Sequence, residues 1–395
     1  MRTVEEHQQV VAGLINARPA VAVPLADALG LALAEDVVAP LSLPGFDNSA
    51  MDGYAVVAAD VATASADNPV KLPVAEDIPA GRTDLLTLAP GTAHRIMTGA
   101  MLPAGATAVV QVEATDGATD VVSIYSAVPE GRSIRRAGED VTAGMTVLSA
   151  GEVLSPAALG LAAALGLAEL KVIPRQRVLV LSTGTELVAP GTPLQPGQIY
   201  ESNAVMLAAA LREAGADVTT APATSDDVAL FRETLAGHAQ NVDLIVTTGG
   251  VSAGAYEVVK DALSGDVEFV KVAMQPGMPQ GAGTVGGTPI VTLPGNPVSA
   301  LVSFEVFIRP PLRAAMGLPS QRPRRPATLT EKLTSPAGKR QFRRGVLGTD
   351  EQVSSYGPPA SHHLRWLATA NCLLDIGEDV VELAAGSPVP VWDLS

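Results

Sequence analysis

The sequence predicts a multidomain protein of class α/β plus β. At its centre lies a three-layer α/β domain with a mostly parallel sheet, accompanied by an inserted β-rich module and a small C-terminal β-barrel-like domain. Three observations carry this. At 395 residues the chain is too long for one ordinary core, so two to four domains are expected. Between 177 and 318, compact apolar runs alternate with helical patterns, the rhythm of parallel strands joined by right-handed crossovers and covered on both faces. Segments 46–145 and 327–395 instead show short alternating stretches broken by Gly, Pro and Asp, which read as β structure.

In chain order, residues 1–45 combine with 146–176 as a helical linker domain. Thr3 and Glu6 are spaced as a capping box ahead of an apolar stripe of Val10, Val11, Leu14 and Ile15. A strand entry follows at Val21–Pro24 and a second helix at 26–34. The inserted module, 46–145, carries alternating segments at 55–58, 108–112 and Val121–Ile124. Ser155-Pro156 then start a short buried helix that Gly166 stops, and the helical pieces flanking the insertion are expected to pack together. In the α/β domain, 177–318, the strands are Arg177–Ser182, Asp217–Thr220, 243–248, 267–272 and 289–293, with helices at 203–214, 226–237 and 255–263 between several of them. Residues 319–326 hold three prolines and three arginines and read as a linker. The last domain, 327–395, has strands at 380–383 and 389–392.

Composition excludes several function classes. A hydrophobic content of 47% supports real cores, but only 3% of the chain is aromatic, so packing rests on Ala, Val and Leu and base-stacking platforms are scarce. A net charge of -15 repels a phosphate backbone, so no nucleic-acid partner is expected and any anion must be met by a local arrangement. Cys372 stands alone, which excludes an intramolecular disulfide and a thiolate cluster and fits a reducing cytoplasm. No signal peptide and no membrane partner are expected: the run 153–168 falls short of the roughly 20 residues a span needs, and 272–304 is crowded with Gly and Pro.

The stretch Phe46-Asp47-Asn48-Ser49-Ala50-Met51-Asp52-Gly53-Tyr54-Ala55 concentrates polar side chains and turn formers, so it reads either as a site or as a well-made hairpin turn. Three Gly-containing loops follow predicted strands: 182–187, 247–254 and 293–299. If the strands are parallel, all three open on the carboxyl edge of the sheet, where ligands of such folds bind. Glycines let backbone N–H groups approach a ligand and hydroxyls add donors, which suits phosphate, although neither the dinucleotide fingerprint nor the Walker A spacing is present. Glu186, Asp226, Asp227 and Glu257 are placed to reach that edge, and a magnesium ion held by carboxylates and phosphate oxygens would reconcile an acidic protein with a phosphorylated ligand. Asp226-Asp227 reads equally as a helix cap. Arg135-Arg136 beside Gly138-Glu139-Asp140 reads equally as a solvated turn. The histidines His7, His94, His238, His362 and His363 lack a zinc-binding spacing and read as surface or core residues. The absence of a Gly-x-Ser-x-Gly elbow and of a partnered cysteine argues against acyl transfer.

In this order and spacing, the motifs at 47–54, 95–100, 135–140, 182–187, 249–254, 293–299, 342–347 and 361–364, with Ala370-Asn371, resemble the molybdopterin molybdenumtransferase family over nearly the whole chain. The resemblance implies an elongated homodimer of four subdomains with a molybdopterin-adenylyltransferase-like α/β domain. It also implies a reaction: adenylylated molybdopterin and molybdate enter, a divalent cation assists hydrolysis of the pyrophosphate link, and the dithiolene sulfurs receive the metal as AMP leaves. A molybdopterin adenylyltransferase would donate the substrate, and molybdoenzymes or cofactor carriers would receive the product.

By matching position, the resemblance makes Asp52, Asp140, Glu186, Asp227 and Glu257 catalytic, with Glu186, Asp226, Asp227 and Glu257 around magnesium. Thr98, Arg135, Gly184, Gly249, Gly250, Ser252, Gly254, Pro294, Gly295, Asn296, Pro297 and Ser299 would bind the pterin substrate, and Arg344 and Ser361 molybdate. Because the family's site lies between subunits, Asp52, Thr98 and Asp140 of one chain would face the α/β loops of the other. Two departures stand out. Glu257 replaces the usual aspartate, and Gln275-Pro276-Gly277-Met278-Pro279 replaces a stretch with two lysines, for which Arg340, Arg343, Arg344 or Lys271 are the candidate substitutes. Alternative readings are the adenylyltransferase itself and a non-catalytic carrier or scaffold for the pterin or its cofactor.

Overall fold

Apolar runs of the α/β part become six strands of one sheet: β1 (Arg177–Ser182), β2 (Asp217–Thr220), β3 (Leu244–Thr248), β4 (Val267–Lys271), β5 (Pro279–Val285) and β6 (Thr288–Leu293). The computed structural model describes residues 1–222, 227–250 and 258–394. The strand order is β2-β1-β3-β6-β5-β4. β1 pairs in parallel with β2 and β3, and β3 with β6, while β5 runs antiparallel to both β6 and β4.

Side chains alternate across this sheet as the strand period demands. Val178, Val180, Val246 and Val291 share one core with Leu207 and Leu211 of the helix Asn203–Glu213. Leu179, Leu181, Ile245 and Ile290 point the other way, into a core with Phe231 and Leu235 of the helix Val228–Ala239. Apolar residues at successive positions are therefore used on both faces, which makes the three layers.

β5 was not foreseen, because its Gly281 and Gly283 lie in a stretch that reads only as Gly- and Pro-rich. A Cβ on Gly281 would come within 2.2 Å of Thr292 Oγ1, and one on Gly283 within 2.1 Å of the Asp266 carbonyl oxygen. Only glycine lets this strand fit between its neighbours.

Contacts divide the chain into two units, Met1–Ala22 with Gly30–Ala34 and Lys171–Ser395, and Val23–Leu29 with Glu35–Leu170. The first holds the α/β sheet and a five-stranded barrel of Arg340–Leu347, Gln352–Ser355, Arg324–Leu329, Pro388–Asp393 and Cys372–Ile376, which closes by pairing its last strand with its first. The barrel begins at Arg324, inside the segment expected to be a linker. Arg322, ahead of it, is half-buried and ion-paired to Glu305 at 2.9 Å and Glu213 at 2.8 Å, so this segment is anchored.

The second unit contains a five-stranded sheet in the order Ala108–Gln111, Gly53–Val56, Ala93–Ile96, Val70–Ile78 and Val121–Ile124, around a core that includes Tyr54, Val110 and Ile124. It also contains the helix Pro156–Ala164, capped by Ser155, whose Oγ accepts from Ala158 N at 3.2 Å.

Two expectations for the linker region are corrected. The second helix at 26–34 is only a single 3-10 turn, Leu25–Asp27, because Gly30 (φ +74°) turns the chain into a short strand, Ala32–Leu33, paired with Glu169–Ile173. The flanking helices fall in different units. Val4–Leu14 forms with its capping box intact but places Val4 and Val11 in the α/β core, whereas Pro156–Ala164 belongs to the other unit. Among the described residues no helix is long and apolar enough to cross a membrane.

Candidate functional site

β1, β3 and β6 run in parallel, so their carboxyl ends, Ser182, Thr248 and Leu293, open on one edge. The loops that leave them lock together. Thr183 N donates to Thr248 O at 3.1 Å, and Gly249 N to Leu293 O at 3.2 Å. At Gly249 (φ +93°) a Cβ would lie 2.7 Å from Thr183 O, so the left-handed backbone and the close approach both require glycine. Gly295 sits against Gly249, with a Cβ there 3.4 Å from its Cα.

Asn203 ties this edge to the helix it starts: Nδ2 donates to Thr248 Oγ1 at 3.0 Å and to Gly295 O at 2.7 Å. Glu201, buried just before it, accepts at Oε1 from Ser182 Oγ and from Ala204 N, each at 2.8 Å. The result is a cavity of about 870 Å³ lined by the three loops, by 199–203, and by Gln275–Gly277, Pro279 and 359–362. Thr183 Oγ1 and Asn203 Oδ1 are buried here without a partner among the described residues, the condition in which polar atoms are free to meet a ligand or water.

Of the expected residues, Gly249, Gly250, Pro294, Gly295, Asn296, Pro297 and Ser299 line this cavity, as do Glu186 and Ser361. The Glu186 carboxylate folds back over Gly184 (φ +150°), where an added Cβ would meet its Oε2 at 2.6 Å. Asp227 caps the helix Val228–Ala239, its Oδ1 accepting from Ala229 N and Leu230 N at 2.8 and 3.0 Å. Asp226, Ser252, Gly254 and Glu257 lie outside the described residues. Among the described residues no three His, Cys, Asp or Glu side chains gather as a metal cluster.

The segment 358–363 is held from three sides. Ser361 Oγ accepts from Asn296 Nδ2 at 2.9 Å, and Val298 N donates to Ser361 O at 3.0 Å. Arg344 is buried and donates to the carbonyls of His363, at 3.0 Å, and Pro358. Burial, and then neighbouring Arg343, push its guanidinium pKa below the usual arginine value. Arg344 thus braces the loop that carries Ser361. Two of the other candidate cations are also engaged. Arg340 pairs with Asp375 and Glu5, and Arg343 Nε donates to Ser355 Oγ at 2.9 Å. Lys271 is exposed at the end of β4.

The second unit assembles its own cluster. Asp52 Oδ1 accepts from both Thr98 N (2.7 Å) and Thr98 Oγ1 (2.8 Å), and these two bonds hold its carboxyl below the usual carboxylate range. Asp47 accepts from Ala137 N at 2.8 Å and pairs with Arg136 at 2.7 Å. Arg135 lies opposite Asn48 in a short antiparallel pair, and Asp140 N donates to Leu43 O. The turn formers of 47–54 thus knit three motifs distant in sequence, which a plain hairpin would not do.

Sequence reasoning assigns no site role to Glu201, Asn203 or His362, all of which line the cavity. Ser202-Asn203 ahead of an apolar helix signals a cap and nothing more, and His362 lacks any spacing partner that would mark it.

Over the full length of both chains, the sequence is 68% identical to "Molybdopterin molybdenumtransferase 2" of Mycobacterium tuberculosis. The chain belongs to the molybdopterin molybdenumtransferase family. Family models match in series: MoeA N-terminal region (domain I and II) at 2–166, Probable molybdopterin binding domain at 179–314 and MoeA C-terminal region (domain IV) at 326–394. "Molybdopterin molybdenumtransferase" of Haemophilus influenzae is 36% identical, covering 93% of this chain and 92% of its own. Among solved structures, a molybdopterin biosynthesis MoeA protein from Pyrococcus horikoshii superposes with a TM-score of 0.84 at 30% identity, covering 100% of this chain and 99% of that one. The cavity-lining loops of β1, β3 and β6 all fall in the region matched by the molybdopterin-binding family model.

Proposed function

We infer that this protein is a molybdopterin molybdenumtransferase, the enzyme that inserts molybdenum into molybdopterin in molybdenum cofactor biosynthesis. The observation that carries the reading is the interlocked edge of β1, β3 and β6, where Thr183, Asn203, Gly249 and Gly295 build an 870 Å³ cavity rich in backbone and hydroxyl donors.

The substrate proposed for this cavity is adenylylated molybdopterin, held by Gly184, Gly249, Gly250, Pro294, Gly295, Asn296, Pro297 and Ser299, with Ser252 and Gly254 from the adjoining segment. Water attacks the phosphoanhydride and the P–O bond breaks, giving AMP and molybdopterin phosphate; the two dithiolene thiols then bind molybdenum as one molybdate oxygen leaves with their two protons as water. Glu186 helps position the attacking water, and Ser361, on the loop braced by Arg344, takes a molybdate oxygen. Asp227, Asp226 and Glu257 are the acids proposed to join Glu186 around magnesium, whose bound charge would offset that of the phosphates. The working unit is a homodimer in the cytoplasm, in which Asp52, Thr98, Arg135 and Asp140 of one chain serve the other chain's cavity. A molybdopterin adenylyltransferase supplies the substrate, and cofactor carriers or molybdoenzymes take the product.

The test follows AMP release and cofactor formation from adenylylated molybdopterin while titrating molybdate, with magnesium or with chelator, for the native chain, Glu186→Gln and Asp52→Asn. Molybdate-dependent AMP release that chelator and both substitutions abolish supports the whole scheme. AMP release that persists in chelator removes magnesium from it. Tight pterin binding without AMP release identifies a carrier, and adenylylation of molybdopterin from ATP identifies the preceding enzyme.

A further inference from the structure

On the transferase reading the cavity must meet anionic groups, molybdate and the phosphates of the pterin alike. Its described lining nevertheless carries two carboxylates, Glu186 and Glu201, and neither Lys nor Arg. The adjoining segments 223–226 and 251–257 contain no Lys, Arg or His in their sequence. The three arginines of the strand Arg340–Leu347 are committed to Asp375 and Glu5, to Ser355, and to two backbone carbonyls. The group among the lining residues that combines a strong N–H donor with the capacity for positive charge is the imidazole of His362.

His362 is also pre-positioned. It follows Ser361, whose main chain and side chain are both fixed to 296–298, and its ring meets that of His363 edge-on at 4.4 Å and 74°. His363 O is in turn held by Arg344. Neighbouring donors converge on the same cavity. Ser361 Oγ accepts from Asn296 Nδ2, which leaves its O–H to donate. Gln275 Oε1 accepts from Gln341 Nε2 at 2.9 Å, which leaves its own amide N–H groups to donate. A set of short donors on a braced loop suits a compact tetrahedral oxyanion better than a flexible ammonium does.

We propose that His362 is a molybdate-binding residue, its imidazole N–H donating to an oxygen of the oxyanion beside Ser361 and Gln275. This rests on the transferase reading above, and it gives the cavity a basis for anion recognition without lysine.

The experiment measures half-saturating molybdate for AMP release and, separately, molybdate binding by calorimetry, in the native chain, His362→Ala, His362→Phe and His362→Gln. Loss of one such hydrogen bond to a charged oxygen predicts a rise of about tenfold or more in both molybdate constants for His362→Ala and His362→Phe. His362→Gln, which keeps an N–H donor, is expected to recover much of that rise, and molybdopterin affinity is expected to stay within about twofold in all three, since the predicted loss is confined to the oxyanion hydrogen bond. Unchanged molybdate constants in His362→Ala overturn the proposal while leaving the transferase reading intact. A native chain that binds pterin but shows no molybdate dependence overturns that reading, and His362's role with it.

Discussion

Asp52 shows how a single side chain is set for chemistry by its neighbours. Both the amide and the hydroxyl of Thr98 donate to one of its carboxylate oxygens, and this lowers its pKa, so the carboxylate stays charged further into acid. Thr98→Val keeps the amide bond and removes the hydroxyl, so the Asp52 pKa is expected to rise. If Asp52 acts as a base, the acid limb of the pH–rate profile for AMP release moves to higher pH in this variant; an unshifted limb would remove Asp52 from the profile. His7 tests the opposite case. It is fully buried, both ring nitrogens lack partners among the described residues, and its ring packs edge-on against Phe307 at 4.7 Å. Burial, with Arg2 adding, pushes its pKa down from 6.5 to about 4. The depressed value means that the neutral imidazole is the folded form. Its contribution is complete above pH 6.5 and is lost progressively as pH falls toward 4, by about 2 kcal/mol between pH 7.5 and 5. Chemical denaturation at these two pH values is expected to show a smaller difference in His7→Leu than in the native chain by about that amount.

At the scale of elements, glycine decides where the sheet can close. Gly283 in β5 has the Asp266 carbonyl oxygen and Val267 Cα where a Cβ would stand. Gly283→Ala is therefore expected to destabilise the α/β unit by about 2–3 kcal/mol in equilibrium denaturation. A change below about 0.5 kcal/mol would mean that the β4–β5 approach relaxes freely, as surface substitutions do. The same residues explain what was legible in the sequence. β1 and β3 announce themselves because buried parallel strands are continuous apolar runs. β5 stays hidden because its fit depends on absent side chains, which leave no apolar signal. Residues 26–34 mislead in the other direction: Ala and Leu carry helical pattern, but Gly30 at φ +74° ends the turn and the next residues are recruited by the Glu169–Ile173 strand. At the site, the loops of β1, β3 and β6 were readable from Gly and hydroxyl residues following apolar runs. Glu201 and Asn203 were not, because their roles arise from a helix start folding back onto strands distant in sequence.

At the scale of the whole molecule, the polar clusters fall in different units of one chain: Asp52 with Thr98 in one, Glu186 with the interlocked loops in the other. The proposed homodimer brings the two kinds of cluster together from different chains, and this arrangement has a consequence that a site within one chain lacks. Suppose Asp52→Asn and Glu186→Gln are each inactive alone. In a dimer containing one chain of each, one site carries both substitutions and the other carries neither, so the second works. Random exchange makes half of the dimers mixed, and with one intact site in two, about a quarter of native activity returns. The measurement is AMP release after unfolding and refolding equimolar variants together, with light scattering to establish the dimer and each variant refolded alone as the control. Recovery near a quarter assigns the two carboxylates to sites shared between chains. No recovery from a mixture that does form dimers places Asp52 and Glu186 in the same chain's site, or Asp52 outside the chemistry, and the pH–rate profile of Thr98→Val separates those two outcomes.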